Sequence, residues 1–295
     1  PPKHIMRWNS PWGEGFPGWH IECSAMATKY LGAHFDIHGG GMDLMFPHHE
    51  SEIAQSTICN HISPAKYWMH NNMITVNGKK MGKSYNNQIT LTQLFSGNHP
   101  LLSQAFPPMV VRFFILQTHY RSTLDFSSEA LVAAEKGLKR LFEAFEVLKR
   151  LPKIDDERET ADKELDEKIN KLINEFEEFI DDDFNTAKVL ANMFEIVPVI
   201  NSIKDGIIKT DAISSATLKK LKESFSIFLE EILGLKDNSE NSAQLSGIMD
   251  LLIDIRKEAR SKKDFFTSDK IRNQLAALGI EMKDDKEGNI SWNQL

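Results

Sequence analysis

The chain has 295 residues, 41% of them hydrophobic and 26% charged, with a formal net charge of −7. That length exceeds one ordinary hydrophobic core and implies two or three domains of a globular protein. No run of about 18 or more apolar residues occurs, which excludes a membrane-spanning helix, and the acidic balance excludes nucleic-acid attraction by global charge, so such a partner must meet local basic patches. Two cysteines, Cys23 and Cys59, make no disulfide framework and fit a reducing cytoplasm. The start, Pro1-Pro2-Lys3-His4, has no signal-peptide pattern and no initiator Met, so the chain reads as a fragment or a processed product.

Residues 1–95 hold all but two of the ten His, every Trp except Trp292, and both Cys. Residues 34–41, His-Phe-Asp-Ile-His-Gly-Gly-Gly, alternate and then end in glycines, as a strand running into a loop does. Pro47 and the following His48 to Gln55 read as a helix start. Residues 73–80 read as a hairpin, with Ile74, Thr75 and Val76 as strand formers and Asn77-Gly78 suited to a tight turn with positive φ. Strand, helix and strand in this order predict an α/β domain. Residues 96–126, punctuated by Pro100, Pro107 and Pro108, read as a connector.

From Ser127 the pattern becomes helical. Ser127-Ser128-Glu129 suits a helix cap. Leu131, Ala134, Leu138, Leu141, Phe142, Phe145 and Leu148 form one apolar stripe, and Leu165, Ile169, Leu172, Ile173, Phe176 and Ile180 a second. Val189, Met193 and Val197 form a third, with Pro198 as a kink or end, and Leu218, Leu221, Phe225, Phe228, Leu229 and Ile232 a fourth that stops near Gly234. Four such stripes predict a helical bundle over 127–235, and the stripes are its core. Residues 236–247 read as a polar linker. A small α+β unit over 248–295 is expected, with helices near Ile253–Lys263 and Ser268–Leu278, then Gly279 and a hairpin-like tail containing Trp292.

Several groups carry chemistry. His48 and Glu52 stand four apart, so both face one side of a helix, and with the thiol of Cys23 they offer nitrogen, oxygen and sulfur ligands of the zinc type. Spacing alone equally fits an ordinary surface pair and a buried cysteine, and His20 and His38 are rival or outer ligands. Lys79, Lys80 and Lys83 surround Gly82 and Ser84 in a loop that either neutralises a triphosphate or is a solvated turn. Gly39-Gly40-Gly41 permits close backbone approach to a flat ligand or phosphate, and Asp43 beyond it binds an ammonium or ribose hydroxyl, or acts as a cap. Arg256, Lys257, Arg260, Lys262 and Lys263 on one expected helix, with Trp292 in the same unit, suit single-stranded RNA or a mixed-charge solvated face.

Taken in order, these motifs resemble the cysteinyl-tRNA synthetases, a class I aminoacyl-tRNA synthetase family. The resemblance rests on Gly18 to Met26 (GWHIECSAM), His34 to Gln55 (HFDIHGGGMDLMFPHHESEIAQ), Tyr67-Trp68-Met69-His70, the KMSKS-like Lys80-Met81-Gly82-Lys83-Ser84, and Asp181 to Thr186 (DDDFNT). It implies a mixed fold: a partial Rossmann-type α/β catalytic domain (1–95), a connector or stem-contact region (96–126), an all-α bundle (127–235) and an anticodon-binding-like unit (248–295). It implies ATP-dependent activation of L-cysteine, with magnesium, and transfer to tRNA(Cys) by a cytoplasmic monomer. The implied zinc ligands are Cys23, His48 and Glu52, and zinc's preference for a sulfur anion over a hydroxyl separates cysteine from serine without editing. Trp19, His20 and His38 are implied at the cysteine pocket. Lys80 and Lys83 are implied as catalytic, and Lys83, Gly40 and Asp43 as ATP-binding.

The family's HIGH-type motif and its fourth zinc ligand do not occur in this sequence, and Gly82 replaces the usual serine of the signature loop, which loosens that loop. The expectations are therefore weak zinc binding through three ligands and little or no activity of the 295-residue chain by itself. Two other readings stand beside this one: a related cysteine ligase with a sugar-amine acceptor, and a non-catalytic tRNA-binding module.

Overall fold

The computed structural model describes residues 5–152, 160–237, 239–262, 264–277, 280–284 and 290–294. The chain folds as two compact units, residues 1–235 and 236–295.

The first unit opens with an antiparallel pair, β1 (Trp8–Ser10) and β2 (Gly13–Gly15), followed by α1 (Trp19–Leu31). Next come β3 (Phe35–Gly41), a π turn over Met45–His49, α2 (Glu50–Asn60) and β4 (Ala65–Asn71). β3 and β4 pair in parallel, from Phe35 opposite Ala65 to Gly41 opposite Asn71. A parallel pair needs a crossover, and α2 supplies it, so β3–α2–β4 is a βαβ unit. Ser24 on α1 donates its hydroxyl to Gln55 on α2 at 2.7 Å, tying the two helices together.

β5 (Ile74–Val76) and β6 (Lys79–Lys80) form the expected hairpin, with Asn77 and Gly78 at φ 50° and 74°. After α3 (Leu91–Ser96) and α4 (Pro108–Leu116), β7 (Leu124–Phe126) pairs in parallel with β5, completing a three-stranded sheet of order β6-β5-β7. α4 lies within the stretch read as a connector. Its Val110, Val111, Phe113 and Phe114 are nonetheless buried, because it packs on the bundle that follows.

That bundle is α5 (Ser128–Arg150), α6 (Lys163–Asp181), α7 (Thr186–Lys204) and α8 (Ser215–Ser226), the last continuing as a π turn over Ile227–Ile232. Ser127, Asp162, Asn185 and Ser214 cap the four helices by accepting from Ala130, Leu165, Lys188 and Thr217. Each cap is worth about 1 kcal/mol. The four apolar stripes fill one continuous core, except that Ile232 at the end of the fourth is exposed. Pro198 does not end its helix; α7 continues to Lys204.

The second unit comprises α9 (Ser239–Ser261), α10 (Phe265–Ala277) and the antiparallel hairpin of β8 (Ile280–Asp284) and β9 (Ile290–Gln294). The expected polar linker is thus corrected: from Ser239 on it is helix, since Ser-Glu-Asn-Ser-Ala-Gln-Leu is polar but holds no breaker. The basic stripe also needs correction. Arg256 is only 1% exposed, because Met249, Ile253, Arg256 and Ala259 recur on the buried face of α9. Lys257, Arg260 and Lys262 are exposed, and Lys262 pairs with Glu258 at 2.6 Å. Lys263, Gly279 and the Trp292 side chain lie outside the described residues. Among the described residues no helix is long and apolar enough to cross a membrane.

Candidate metal centre and nucleotide loop

The βαβ unit and α1 bring the expected ligands together. Cys23 comes from the second turn of α1, His48 from the π turn and Glu52 from the first turn of α2. One ligand atom from each lies within 4.8 Å of the others. His48 and Glu52 are both buried, and Cys23 is half-buried. His48 Nε2 stands 2.8 Å from Glu52 Oε1, yet that oxygen is buried without a hydrogen-bond donor. The two atoms approach outside hydrogen-bonding geometry, as two lone pairs aimed at a shared third atom do. An orphaned, buried carboxylate oxygen is costly. A cation between the three atoms relieves that cost, so the donor set fits a divalent metal of the zinc type.

The electrostatics agree. Burial, then Glu52 and then Glu22, pushes the Cys23 thiol up, and burial pushes the Glu52 carboxyl up. Burial, then His20, lowers His48, leaving the neutral imidazole that a metal requires. Both potential anions are therefore disfavoured until a positive charge joins them.

The expected pocket residues stand around this point. Trp19 stacks on His48 with centroids 3.6 Å apart and planes 12° apart. His20 Nδ1 lies 2.6 Å from His48 Nδ1, one ring donating to the other. His38 on β3 approaches Glu52 Oε2 at 3.6 Å. Burial lowers His38, with His48 and His70 adding to the effect.

Three residues that were given no role from the sequence complete the cluster. His49 is buried, shares a 2.7 Å ring–ring hydrogen bond with His70, and with His38 and Glu52 forms a second possible ligand trio. Burial first, then His38, His70 and His48, pushes His49 down to about 4. Trp68 packs against His38 and His49 at 4.7 and 5.1 Å. The signal was alternation: Trp68 and His70, two apart on β4, face the same side, and Trp68 stands opposite His38 in register.

Gly40 has a reason close by. A Cβ there meets the His49 ring at 2.8 Å and Leu44 at 3.0 Å, so this glycine makes room for the histidine cluster. Asp43 is exposed in a 3-10 turn, with its carboxylate folded over Gly41.

Lys80 and Lys83 lie elsewhere in the unit, exposed at the end of β6 and in the 3-10 turn after it. Among the described residues no polar contact links them to the Cys23–His48–Glu52 cluster. Gly82 has φ −176° and ψ 154°, extended backbone open to any residue, so the signature's usual serine is compatible with this shape.

Comparison with known proteins bears on the fold and the family. Residues 2–136 match the family described as tRNA synthetases class I (C) catalytic domain, and residues 175–236 match the DALR domain. The cysteine–tRNA ligase of Parabacteroides distasonis is 53% identical over 292 residues, 97% of this chain and 57% of that protein. The chain is thus similar to the cysteine–tRNA ligases along nearly its whole length. The cysteine–tRNA ligase of Bacteroides thetaiotaomicron is likewise 53% identical over 296 residues, covering 99% of this chain and 58% of that protein. The chain spans 57–58% of the length of these two relatives. A LeuRS from Agrobacterium radiobacter K84, solved in a ternary complex with tRNA and LeuAMS, matches with TM-score 0.55 and 16% identity over 77% of this chain and 33% of that one. At that identity the match shows a shared fold alone.

Proposed function

We propose that this chain supplies the thiol-binding and phosphate-binding parts of a cysteine–tRNA ligase. The reaction joins the carboxylate of L-cysteine to the α-phosphorus of ATP with loss of pyrophosphate, and then passes the cysteinyl group to a terminal ribose hydroxyl of tRNA(Cys) with release of AMP. The observation that carries this reading is the buried, donorless Oε1 of Glu52 facing His48 Nε2 beside the Cys23 thiol. Cys23, His48 and Glu52 would hold zinc, which when bound supplies a site for the substrate's sulfur anion and discriminates against serine.

The protein's own side chains do the rest. Trp19 walls the pocket by its stack on His48, and His20 and His38 are hydrogen-bonding partners for the amino acid. Lys80 and Lys83 offset the charge that develops as pyrophosphate leaves, with magnesium on the triphosphate. Backbone at Gly40 and the carboxylate of Asp43 face the nucleotide. Residues 1–95 act as the catalytic part, 96–126 as the stem-contact region, 127–235 as the bundle and 248–295 as the anticodon-binding-like unit. The protein works as a cytoplasmic monomer. A sugar-amine acceptor is not favoured, since the likeness to cysteine–tRNA ligases runs through both units.

The test is ATP–pyrophosphate exchange by two proteins: the 295-residue chain, and the same chain fused behind the segment of the Parabacteroides distasonis relative that it does not cover. Exchange by the fusion with cysteine but not serine, and none by the chain alone, is expected. Robust exchange by the chain alone, or equal exchange with serine, overturns the proposal.

A further inference from the structure

The loop that carries Lys80 and Lys83 is exposed and contains a glycine, so the shape that aims two long side chains must come from outside it. Two polar side chains grip it. Asn87 is only 8% exposed. Its Oδ1 accepts from the Gly82 N–H at 2.9 Å and its Nδ2 donates to the Lys80 carbonyl at 3.1 Å. One amide therefore spans Met81 and fixes the peptides on either side of it. Asn86, at φ 52°, turns the chain back in the left-handed region so that Asn87 enters beneath the loop.

The second grip comes from β7. Asp125 stands opposite Thr75 in the parallel register. Its Oδ1 accepts from the Thr75 hydroxyl at 2.6 Å and from the Gly78 N–H at 2.7 Å. The hairpin turn is thus held by its neighbour strand, and the lysine loop by the residue that follows it. Between the two grips, the Met81 N–H donates to the Ile74 carbonyl at 3.2 Å, and its side chain packs on the main core.

We propose that Asn87 and Asp125 are positioning residues that hold the Lys80–Lys83 loop in the shape that meets the nucleotide's phosphates. This rests on the reading of that loop as the ATP-binding loop. Neither residue touches the nucleotide; Asn87 acts through the Lys80 carbonyl and the Gly82 N–H, and Asp125 through the hairpin turn that leads into the lysines. Such a role matters because phosphoryl chemistry depends on placement and charge rather than on covalent help from the protein. An ammonium on a loose exposed loop spends its time in water.

The test has two layers. In the 295-residue chain, Asn87→Ala and Asp125→Ala are expected to speed amide hydrogen exchange of residues 78–86 by about tenfold or more while exchange in α5–α7 stays unchanged. In the fusion protein described above, both variants are expected to lower kcat for cysteine-dependent exchange by about tenfold and leave KM for cysteine within about twofold. Asp125→Asn, which keeps an accepting oxygen, is expected to retain most of the activity. Unchanged loop exchange overturns the grip itself. Faster loop exchange with unchanged kcat, or a fall in kcat that tracks a general loss of protection in the bundle, overturns the positioning role. If the parent fusion shows no cysteine-dependent exchange, the nucleotide reading falls and takes this role with it, while hydrogen exchange still decides whether the grip exists.

Discussion

Glu52 Oε1 and His48 Nε2 lie 2.8 Å apart, one helical turn from each other, without making a hydrogen bond. The chain has placed a carboxylate in a buried position and given one of its oxygens no donor. With Cys23 at the same point, the three side chains offer a donor set that could hold a metal ion.

Glu52→Gln therefore has opposite effects with and without metal. In metal-free protein the change removes a buried charge and is expected to be neutral or stabilising, by about 1–2 kcal/mol at most. With zinc present it removes a ligand and is expected to weaken zinc binding by about 100-fold or more. Thermal melting with and without a chelator, together with competition for a zinc dye, measures both.

Asp125 gives a pH signature. The hydrogen bond from Thr75 first, and that from Gly78 second, holds its carboxyl below the ordinary aspartate range. A carboxyl with a lowered folded value contributes stability above its unfolded value, about 3.9, and loses it as pH falls through the folded value. Wild type is thus expected to exceed Asp125→Asn in stability by a constant margin at neutral pH, and the margin is expected to shrink as pH falls below about 4. Urea unfolding across pH checks this; a margin that grows on acidification contradicts it.

Asp183 joins the α6–α7 turn to the segment before β7. It accepts from the Tyr120 hydroxyl at 2.6 Å, pairs with Arg121 at 2.8 Å, and sits at φ 62°. Asp183→Ala loses the bonds and keeps the unfavourable backbone, with an expected cost of about 1–3 kcal/mol. Asp183→Asn tolerates the left-handed conformation and keeps an acceptor, so less than half that cost is expected by chemical denaturation.

Gly82→Ser is expected to be silent in stability, within about 0.5 kcal/mol. The added Cβ meets only Tyr85 at 3.5 Å and the Ser84 hydroxyl at 3.9 Å, ordinary contacts in extended backbone. A melting shift of several degrees counts against the loop shape described.

Much of this was legible in the sequence, because it rests on local rules. Asn77-Gly78 announced the hairpin, Ser127 the start of α5, and the 3.6-residue stripes the bundle. The i, i+4 spacing of His48 and Glu52 brings them together although His48 lies in the π turn and Glu52 in α2. What was not legible depends on distant partners. His49 and His70 meet only because β3 and β4 pair in register across α2. Arg256 looked like a surface cation, yet the stripe that buries Met249 and Ile253 carries it inward. The grips of Asn87 and Asp125 on the lysine loop follow from a turn and a strand pairing that no spacing encodes. Polarity misled at Ser239, where polar residues without a breaker continue as helix.

The most direct measurement is zinc K-edge X-ray absorption on the zinc-loaded fusion protein, before and after L-cysteine. The sulfur count around zinc is expected to rise by one with cysteine and to stay fixed with serine. Both the original sulfur and the change are expected to be lost in Cys23→Ala combined with Glu52→Gln. A zinc shell that ignores cysteine, or that takes up serine equally, contradicts a thiol-reading metal site at Cys23, His48 and Glu52.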